Sequence, residues 1–305
     1  MNSLTKVMVS PHIHSGRSTS GVMRDVIIAL LPATVAGAVI FGLKSLLPVL
    51  VCVACCVGFE ALFNVVAKKR QTVGDLSAVV TGLLLALNLP ANIPLWQCAV
   101  GSLFAIVVVK CIFGGIGCNI VNPAITARVF MIVAFGSMAI SAFPVDTVAG
   151  ATPLSSGELP SLLDLFLGNY GGSIGETCTL ALVAGGIYLL CRRIITWHIP
   201  VVYIGTVFVF SLFVTGFDAV SALGFTMAGG VFIGAIFMAT DYVTSPFTSW
   251  GKVIFAFGAG LLTCLIRYFG TYPEGVSFAI LFMNILTPYI NKWTRHKVFA
   301  TGGKK

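Results

Sequence analysis

The stretch Leu46–Ala67, LLPVLVCVACCVGFEALFNVVA, decides the fold. Glu60 is its only charged residue, and a helix needs about 20 apolar residues to cross the hydrocarbon core of a bilayer. Similar runs recur along the chain of 305 residues, which is 57% hydrophobic and only 9% charged, with a mean hydropathy of +1.01. Soluble domains carry about 45–50% apolar and about 25% charged residues. The composition therefore excludes a compact water-soluble fold and predicts an all-α polytopic membrane protein.

Two other classes are excluded by composition. The chain holds 23 Phe together with long aliphatic runs, whereas a disordered chain would be polar. Its net charge of +8 is of the sign that nucleic acid attracts, but basic nucleic-acid binders do not have this hydropathy. No nucleic-acid partner is expected.

The apolar runs predict ten membrane spans, several of them short. Short runs beside Gly, Asn and Pro favour helices broken inside the bilayer, which transporters tolerate where open backbone lines a cavity. The predicted spans are Val26–Leu43, Leu46–Ala67, Leu76–Leu89, Leu95–Phe113, Ala124–Ala142, Thr177–Cys191, Ile199–Thr215, Val220–Ala239, Val253–Phe269 and Val276–Ile290.

The distribution of Lys and Arg predicts the orientation. With ten alternating spans and a cytoplasmic N-terminus, only Lys44 and Arg267 fall outside, and the other Lys and Arg residues fall inside. Both termini are therefore predicted to be cytoplasmic, and the long acidic loop is predicted to face out. The predicted regions are a cytoplasmic segment 1–25, a first five-helix unit 26–142, an extracytoplasmic loop 143–176, a second five-helix unit 177–290 and a basic cytoplasmic tail 291–305.

A shift of the chain by 156 residues hints at an internal repeat. It places Pro90 on Pro246 and Phe113-Gly114 on Phe269-Gly270. The paired spans run in opposite directions, which is typical of two inverted five-helix repeats with a binding site between them. Identity across the shift is low, so a chance match stays open.

The outward loop contains Asp146-Thr-Val-Ala-Gly150-Ala151-Thr152-Pro-Leu-Ser155. From the residues alone this is a turn, since Gly150 permits positive φ, Pro153 stiffens the chain and Thr152 offers its hydroxyl to a nearby amide. The same residues also resemble a modification site. Gly-Ala-Thr-Pro-Leu after an acidic residue resembles the flavinylation motif of the family that includes the D subunit of the Rnf complex and the B subunit of the sodium-translocating NADH:quinone reductase.

The resemblance implies that Thr152 carries covalent FMN through a phosphoester. A flavin transferase that uses FAD as donor installs it in that family, and Gly150 and Ala151 would give the transferase access to the backbone. The family usually has Ser or Thr before Gly-Ala-Thr, and here that position is Ala149. The modified hydroxyl itself is present.

Other segments extend the resemblance over nearly the full length, and the chain length is more similar to the Rnf D branch. These segments are Ser15–Ser20, Met23–Asp25, Leu30–Ala33, Thr81–Asn88, Ile93–Trp96, Phe113–Ala124, Phe237–Asp241 and Tyr272–Gly275, followed by Asn284 and Pro288. The family implies a bacterial or archaeal cytoplasmic membrane. It also implies partner subunits that carry FMN and iron–sulfur clusters.

Asn119 and Asn122 follow a glycine-rich turn and precede the fifth span. The family implies a second, noncovalent flavin, riboflavin, and these two carboxamides are the candidates to bind its polar edge. The alternative is structural, with Asn122 capping the helix that starts at Pro123. Both interpretations stay open.

Three acidic residues are candidates for an ion pathway, because ionisable groups at depth in a membrane are expensive. Glu60 lies inside the second span, Asp241 ends the eighth and Glu274 follows the Gly270 turn. For Asp241 and Glu274 a cap or loop role is the equal alternative. No catalytic residues and no metal site are predicted, since the cysteines fall in or beside apolar runs and the nucleotide-binding and zinc motifs are missing from the sequence.

The predicted function is that of an Rnf-type flavoprotein subunit, not catalytic alone. It would relay electrons across the membrane through FMN and riboflavin, within a complex that couples ferredoxin:NAD electron transfer to Na⁺ or H⁺ translocation. A urea- or ammonium-type channel without flavin is the main alternative, because ten spans in inverted repeats also describe such channels. A passive assembly role is the third.

Overall fold

The computed structural model describes residues 18–135, 160–270 and 275–295, and it folds them into helices joined by turns. The helices are α1 (Thr19–Ile40), α2 (Leu46–Val66), α3 (Ser77–Leu87), α4 (Leu95–Cys111), α5 (Pro123–Phe135), α6 (Leu162–Leu167), α7 (Thr179–Cys191), α8 (His198–Val214), α9 (Ala219–Met227), α10 (Val231–Met238), α11 (Ser249–Phe269) and α12 (Val276–Thr294).

Within the described residues, each of the ten predicted spans overlaps a helix or a helix pair, so the prediction of an all-helical fold is confirmed for that part of the chain. By length and composition, α1, the segment Leu43–Val66 and α11 are long and apolar enough to cross a membrane, and the bent pair α9–α10 counts as a fourth. Helices α3, α4, α5, α7 and α8 are apolar but shorter. The count of ten spans therefore stays a prediction.

Several helices extend beyond the predicted boundaries, and α1 and α12 are examples at the two ends of the chain. Helix α1 starts at Thr19 rather than Val26, because the Ser18 side chain accepts a hydrogen bond from the Gly21 amide and caps the helix before the apolar run begins. Helix α12 continues past Ile290 to Thr294. Polar residues do not by themselves end a helix. A boundary predicted from hydropathy therefore marks only the apolar part of the helix.

Helices are broken at α3, as the short run before Pro90 predicted, and at α9–α10, which lies inside Val220–Ala239 and was predicted as one span. Helix α3 stops at Leu87 before Asn88-Leu89-Pro90, where proline disfavours a helical conformation in the residue before it. Helices α9 and α10 bend by 65° at Ala228–Gly230. Two stretches are wound as π-helix, Phe104–Cys111 in α4 and Gly234–Met238 in α10, and such stretches are frequent at functional sites.

The two halves of the chain pack in corresponding ways. Helix α2 packs on α3 and α4 in the first half, and α8 packs on α9 and α11 in the second. Between the halves, α1 contacts α7 and α5 contacts α12. Two related halves would produce this pattern, although the inverted orientation of the repeats stays a prediction.

The segment 170–177, which joins the halves, is buried throughout. The amides of Ile174 and Gly175 donate to the carbonyls of Leu89 and Leu87, at distances of 3.0 and 2.8 Å. The segment thus supplies backbone partners to the point where α3 breaks. The sequence predicted that these residues belong to the outward loop 143–176, whereas in the structure the end of that loop is buried inside the protein.

Candidate functional site

A cavity lies between the two halves of the chain and is partly open to the outside. Small-molecule sites typically have mostly apolar walls and a few polar groups. Its lining comes from α1, α3, α4, α5, α7 and α10 and from the segment 240–243. The polar residues in its wall are Ser77, Thr81, Lys110, Asn119, Asn122, Thr240, Asp241 and Tyr242.

The structure brings Asn119, Asn122 and Asp241 together in this cavity, although the sequence predicted them for two different sites. Asn119 follows a turn in which Gly114, Gly115 and Gly117 all have positive φ, a conformation that glycine adopts without steric cost. The Asn119 Oδ1 atom is buried and has no hydrogen-bond partner among the described residues. This carbonyl oxygen is available to a ligand.

Asn122 is committed to the protein backbone. Its Oδ1 accepts hydrogen bonds from the Ala124 and Ile125 amides at 3.0 and 3.4 Å, which is the helix-capping geometry. Its Nδ2 donates to the Met238 carbonyl at 3.2 Å and so ties α5 to the end of α10. The capping alternative is therefore realised, and Asn122 shapes the cavity with its polar atoms already bonded.

Asp241 organises the turn after α10. Its carboxylate accepts hydrogen bonds from the Val243 amide and the Thr244 hydroxyl at 3.2 and 3.3 Å. This is the loop role that the sequence left open, and the residue also lines the cavity. The negative charge of Asp241 thus lies in the same wall as Lys110.

Glu60 is buried and bonded through both carboxylate oxygens. Lys110 Nζ lies 2.9 Å from its Oε2, and the Thr72 hydroxyl donates to its Oε1 at 2.6 Å. Lys110 also donates to Ser77 Oγ at 2.6 Å. The sequence indicated Glu60 for an ion pathway without a partner, and a route through it requires this ion pair to open.

The orientation argument counted Lys110 and Arg128 on the cytoplasmic side, and the structure shows both as buried cations within helices. Lys110 lies in α4 and Arg128 in α5, with side chains 2% and 3% exposed. A cation buried within a helix bundle needs a partner there, so these two residues say nothing about which loops face the cytoplasm.

A second buried ion pair was not predicted from the sequence. Arg128 Nη1 lies 2.6 Å from Glu176 Oε1 and also donates to Asn88 Oδ1 at 2.6 Å. A Cβ on Gly230 would lie 2.9 Å from the same Glu176 oxygen, so the bend between α9 and α10 fits closely against this pair. The available signal was Arg128 itself, a charge inside an apolar run that required an acidic partner elsewhere.

Four of the predicted site residues lie outside the described ranges. These are Gly150, Ala151, Thr152 and Glu274. Within the described ranges, no group of three or more His, Cys, Asp or Glu side chains is arranged to hold a metal ion.

These features define a helical membrane protein with a cavity between its halves, whose wall includes Lys110 of one buried ion pair. A family model described as the NQR2, RnfD, RnfE family matches residues 6–300. The chain belongs to this family.

Curated relatives match along nearly their full length. The chain is 48% identical to the D subunit of the Na⁺-translocating ferredoxin:NAD⁺ oxidoreductase complex of Acetobacterium woodii, over 98% of this chain and 97% of the relative. It is 43% identical to the D subunit of the proton-translocating ferredoxin:NAD⁺ oxidoreductase complex of Clostridium ljungdahlii, over 96% and 95%. It is 33% identical to the D subunit of the ion-translocating oxidoreductase complex of Halorhodospira halophila, over 97% and 96%.

Proposed function

We propose that this protein is the D subunit of an Rnf-type complex that couples electron transfer between ferredoxin and NAD to the translocation of Na⁺ or H⁺. The observation that carries this proposal is the match to relatives of that name over nearly the whole chain. The protein works with other membrane and peripheral subunits and is not catalytic alone. Its relatives include both Na⁺- and proton-translocating complexes, so the ion is a matter for experiment.

Within this function, we propose that the chain carries two flavins. FMN is attached to the Thr152 hydroxyl by a flavin transferase, and riboflavin occupies the cavity between the halves. A flavin, when bound, accepts and donates electrons one at a time or in pairs. The chain contributes by fixing where these groups sit and which atoms surround them.

The cavity fits a ligand of this class. Apolar side chains such as Val80, Leu84 and Phe237 provide surface for a flat ring system. The unpartnered Asn119 Oδ1 accepts a hydrogen bond from an N–H group of the ligand. Asn122 holds the wall in place through its bonds to α5 and Met238.

The direct test of covalent flavin is fluorescence of the denatured protein on a gel, after production together with the flavin transferase. The wild-type band is expected to fluoresce and the Thr152→Ala band to be dark. Ser155→Ala is the matched control, since it removes a hydroxyl from the same loop and is expected to leave the fluorescence intact. A dark wild-type band would contradict the relay and favour a channel.

The same pair of proteins separates a relay from a passive assembly role. If Thr152 carries the flavin on the electron path, the Thr152→Ala complex assembles but loses electron transfer from ferredoxin to NAD. Unchanged electron transfer in a correctly assembled Thr152→Ala complex would show that the protein is only a scaffold.

A further inference from the structure

Asn284, on helix α12, is buried with no hydrogen-bond partner among the described residues. Its side chain is 1% exposed, and both Oδ1 and Nδ2 are inaccessible and unpaired within those residues. Burying an amide without a hydrogen bond costs roughly 2–7 kcal/mol, depending on the reference state. Groups of this kind usually have a partner that is not part of the chain, such as water or an ion.

The register of α12 shows what Asn284 faces. Val276 and Ile280 pack against Gly234 in α10, and the Thr287 hydroxyl donates to the Thr244 carbonyl at 2.9 Å. Residues three and four apart share a helix face, so Asn284 lies on the same face between these two contacts. By register it is directed toward the stretch between Gly234 and Thr244, within which α10 ends at Met238, and α5 also packs on α12.

The end of α10 favours a cation. The last carbonyls of a helix carry the negative end of the helix dipole, and here those of Ile236 and Met238 also accept hydrogen bonds from the Thr240 hydroxyl and the Asn122 amide, at 2.6 and 3.2 Å. Asp241 follows three residues later and adds a carboxylate. Transporters with broken helices coordinate Na⁺ or H⁺ at such half-helix C-termini, with open backbone carbonyls nearby.

Other buried polar groups in this region are already neutralised. Lys110 pairs with Glu60 and Arg128 with Glu176, and the polar atoms of Asn122 bond to backbone. The Asn284 amide has no hydrogen-bond partner among the described residues. It offers an oxygen beside a negative helix end, and oxygen atoms replace the hydration shell of small cations.

We propose that Asn284 is a ligand of a monovalent-cation site at the C-terminal end of α10, on the ion route through this protein. The cation is Na⁺, or hydronium if the complex translocates protons. This inference rests on the proposed function, since it assigns part of the ion translocation of the complex to this chain.

The test uses the assembled complex and three variants. Asn284→Leu removes the oxygen at similar size, Asn284→Asp adds a charge, and Met283→Leu is an apolar control one position away on the same helix. Equilibrium binding of radioactive Na⁺, in choline chloride at constant ionic strength, is measured without electron donors. Ferredoxin-driven Na⁺ uptake and internal pH change are then measured in proteoliposomes.

The expected result is at least about tenfold weaker Na⁺ binding and uptake in Asn284→Leu, about tenfold tighter binding in Asn284→Asp, and wild-type behaviour in Met283→Leu. If the wild type binds no Na⁺ and pumps protons, Asn284→Leu is expected to lower proton uptake per electron at least tenfold.

The Asn284→Asp variant distinguishes a cation ligand from an amide with a purely structural role. A carboxylate at a negative helix end is tolerated only when a cation accompanies it, so added Na⁺, or low pH in the proton case, should stabilise this variant more than the wild type.

Wild-type ion binding and uptake in Asn284→Leu would overturn the proposal. If that variant does not assemble, Asn284→Asp decides, and an Asp variant with no added stabilisation by either ion overturns it as well. Flavin fluorescence of the denatured band is recorded for every variant. A fluorescent band with unchanged ion uptake refutes the cation site alone, whereas a dark wild-type band refutes the flavin relay.

Discussion

Arg128 and Glu176 form a buried ion pair that joins the two halves of the protein, with 2.6 Å between Nη1 and Oε1. Arg128 belongs to α5, and Glu176 belongs to the buried segment before α7. The pair lies where both helix breaks meet, because Arg128 also bonds Asn88 after α3 and Glu176 contacts Gly230 before α10. It therefore fixes both breaks at once.

Removing one partner of this pair is expected to be strongly destabilising. Glu176→Gln leaves the Arg128 charge buried without a counter-charge, and such changes cost about 3–5 kcal/mol. The double variant Arg128→Met with Glu176→Leu removes both charges and is expected to regain most of the loss. Thermal unfolding in detergent measures both.

The exposed pair of Asp25 and Arg192 is the matched control. The Arg192 side chain is 57% exposed, and exposed ion pairs contribute little to stability because water screens the two charges. Arg192→Gln is therefore expected to shift the unfolding temperature far less than Glu176→Gln. Equal shifts would show that the buried pair is no more important than a surface pair.

Gly230→Ala tests the fit of the bend against the ion pair. The added methyl would lie 2.9 Å from Glu176 Oε1, too close for an ordinary contact, so the carboxylate has to shift and the protein loses stability. Gly58→Ala is the control, since its Cβ would meet nothing within 4 Å and alanine favours a helix over glycine by about 1 kcal/mol. The control is expected to be neutral or stabilising. A harmless Gly230→Ala would mean that the bend tolerates movement.

The Glu60–Lys110 pair tests whether Glu60 belongs to an ion route. Because both Glu60 oxygens are bonded, the double variant Glu60→Gln with Lys110→Met is expected to keep ion uptake in proteoliposomes close to that of the wild type. The single variant Lys110→Met leaves a buried carboxylate and is expected to unfold at a lower temperature. Loss of uptake in a stable double variant would assign Glu60 to the route after all.

Asn119 and Asn122 are expected to differ in their effect on noncovalent flavin. Asn119→Leu removes the buried, unpartnered oxygen and is expected to lower the riboflavin released on denaturation. Asn122→Ala costs about 0.5–2 kcal/mol of stability through the lost cap and also removes the bond to the Met238 carbonyl, so its main effect is expected on the unfolding temperature. Chromatographic flavin content and unfolding temperature check the two effects separately, and full riboflavin in Asn119→Leu would contradict its role as a ligand.

The sequence predicted the helices well because apolar length and proline position act locally. The break after Leu87 was indicated by Pro90, whereas the bend near Gly230 lies inside a run that was predicted as one span. The partners of buried charges were not predictable in the same way. Glu176 pairs with Arg128 only because its segment folds back into the bundle, and the composition of a loop does not reveal where the loop goes.

The sequence predicted individual residues of the candidate site but not that they lie together. Asn119, Asn122 and Asp241 were each singled out, but their meeting in one cavity depends on how α5 and α10 pack, which a single sequence does not state. Lys110 was counted only as a charge on the cytoplasmic side, because its buried partner Glu60 belongs to a different helix. Asn284 entered only as part of a resemblance, since an unbonded amide is visible only once its surroundings are known.

The bonds from Ile174 and Gly175 to the carbonyls of Leu89 and Leu87 have a consequence for how the protein is made. These carbonyls lie at and just beyond the end of the third helix, but their donors emerge from the ribosome only after the fifth helix has been synthesised. Until then the newly inserted amino-terminal half has unsatisfied peptide groups at its centre. Its maturation must therefore await the linker, and truncation before residue 174 would leave a product for quality-control proteases to remove.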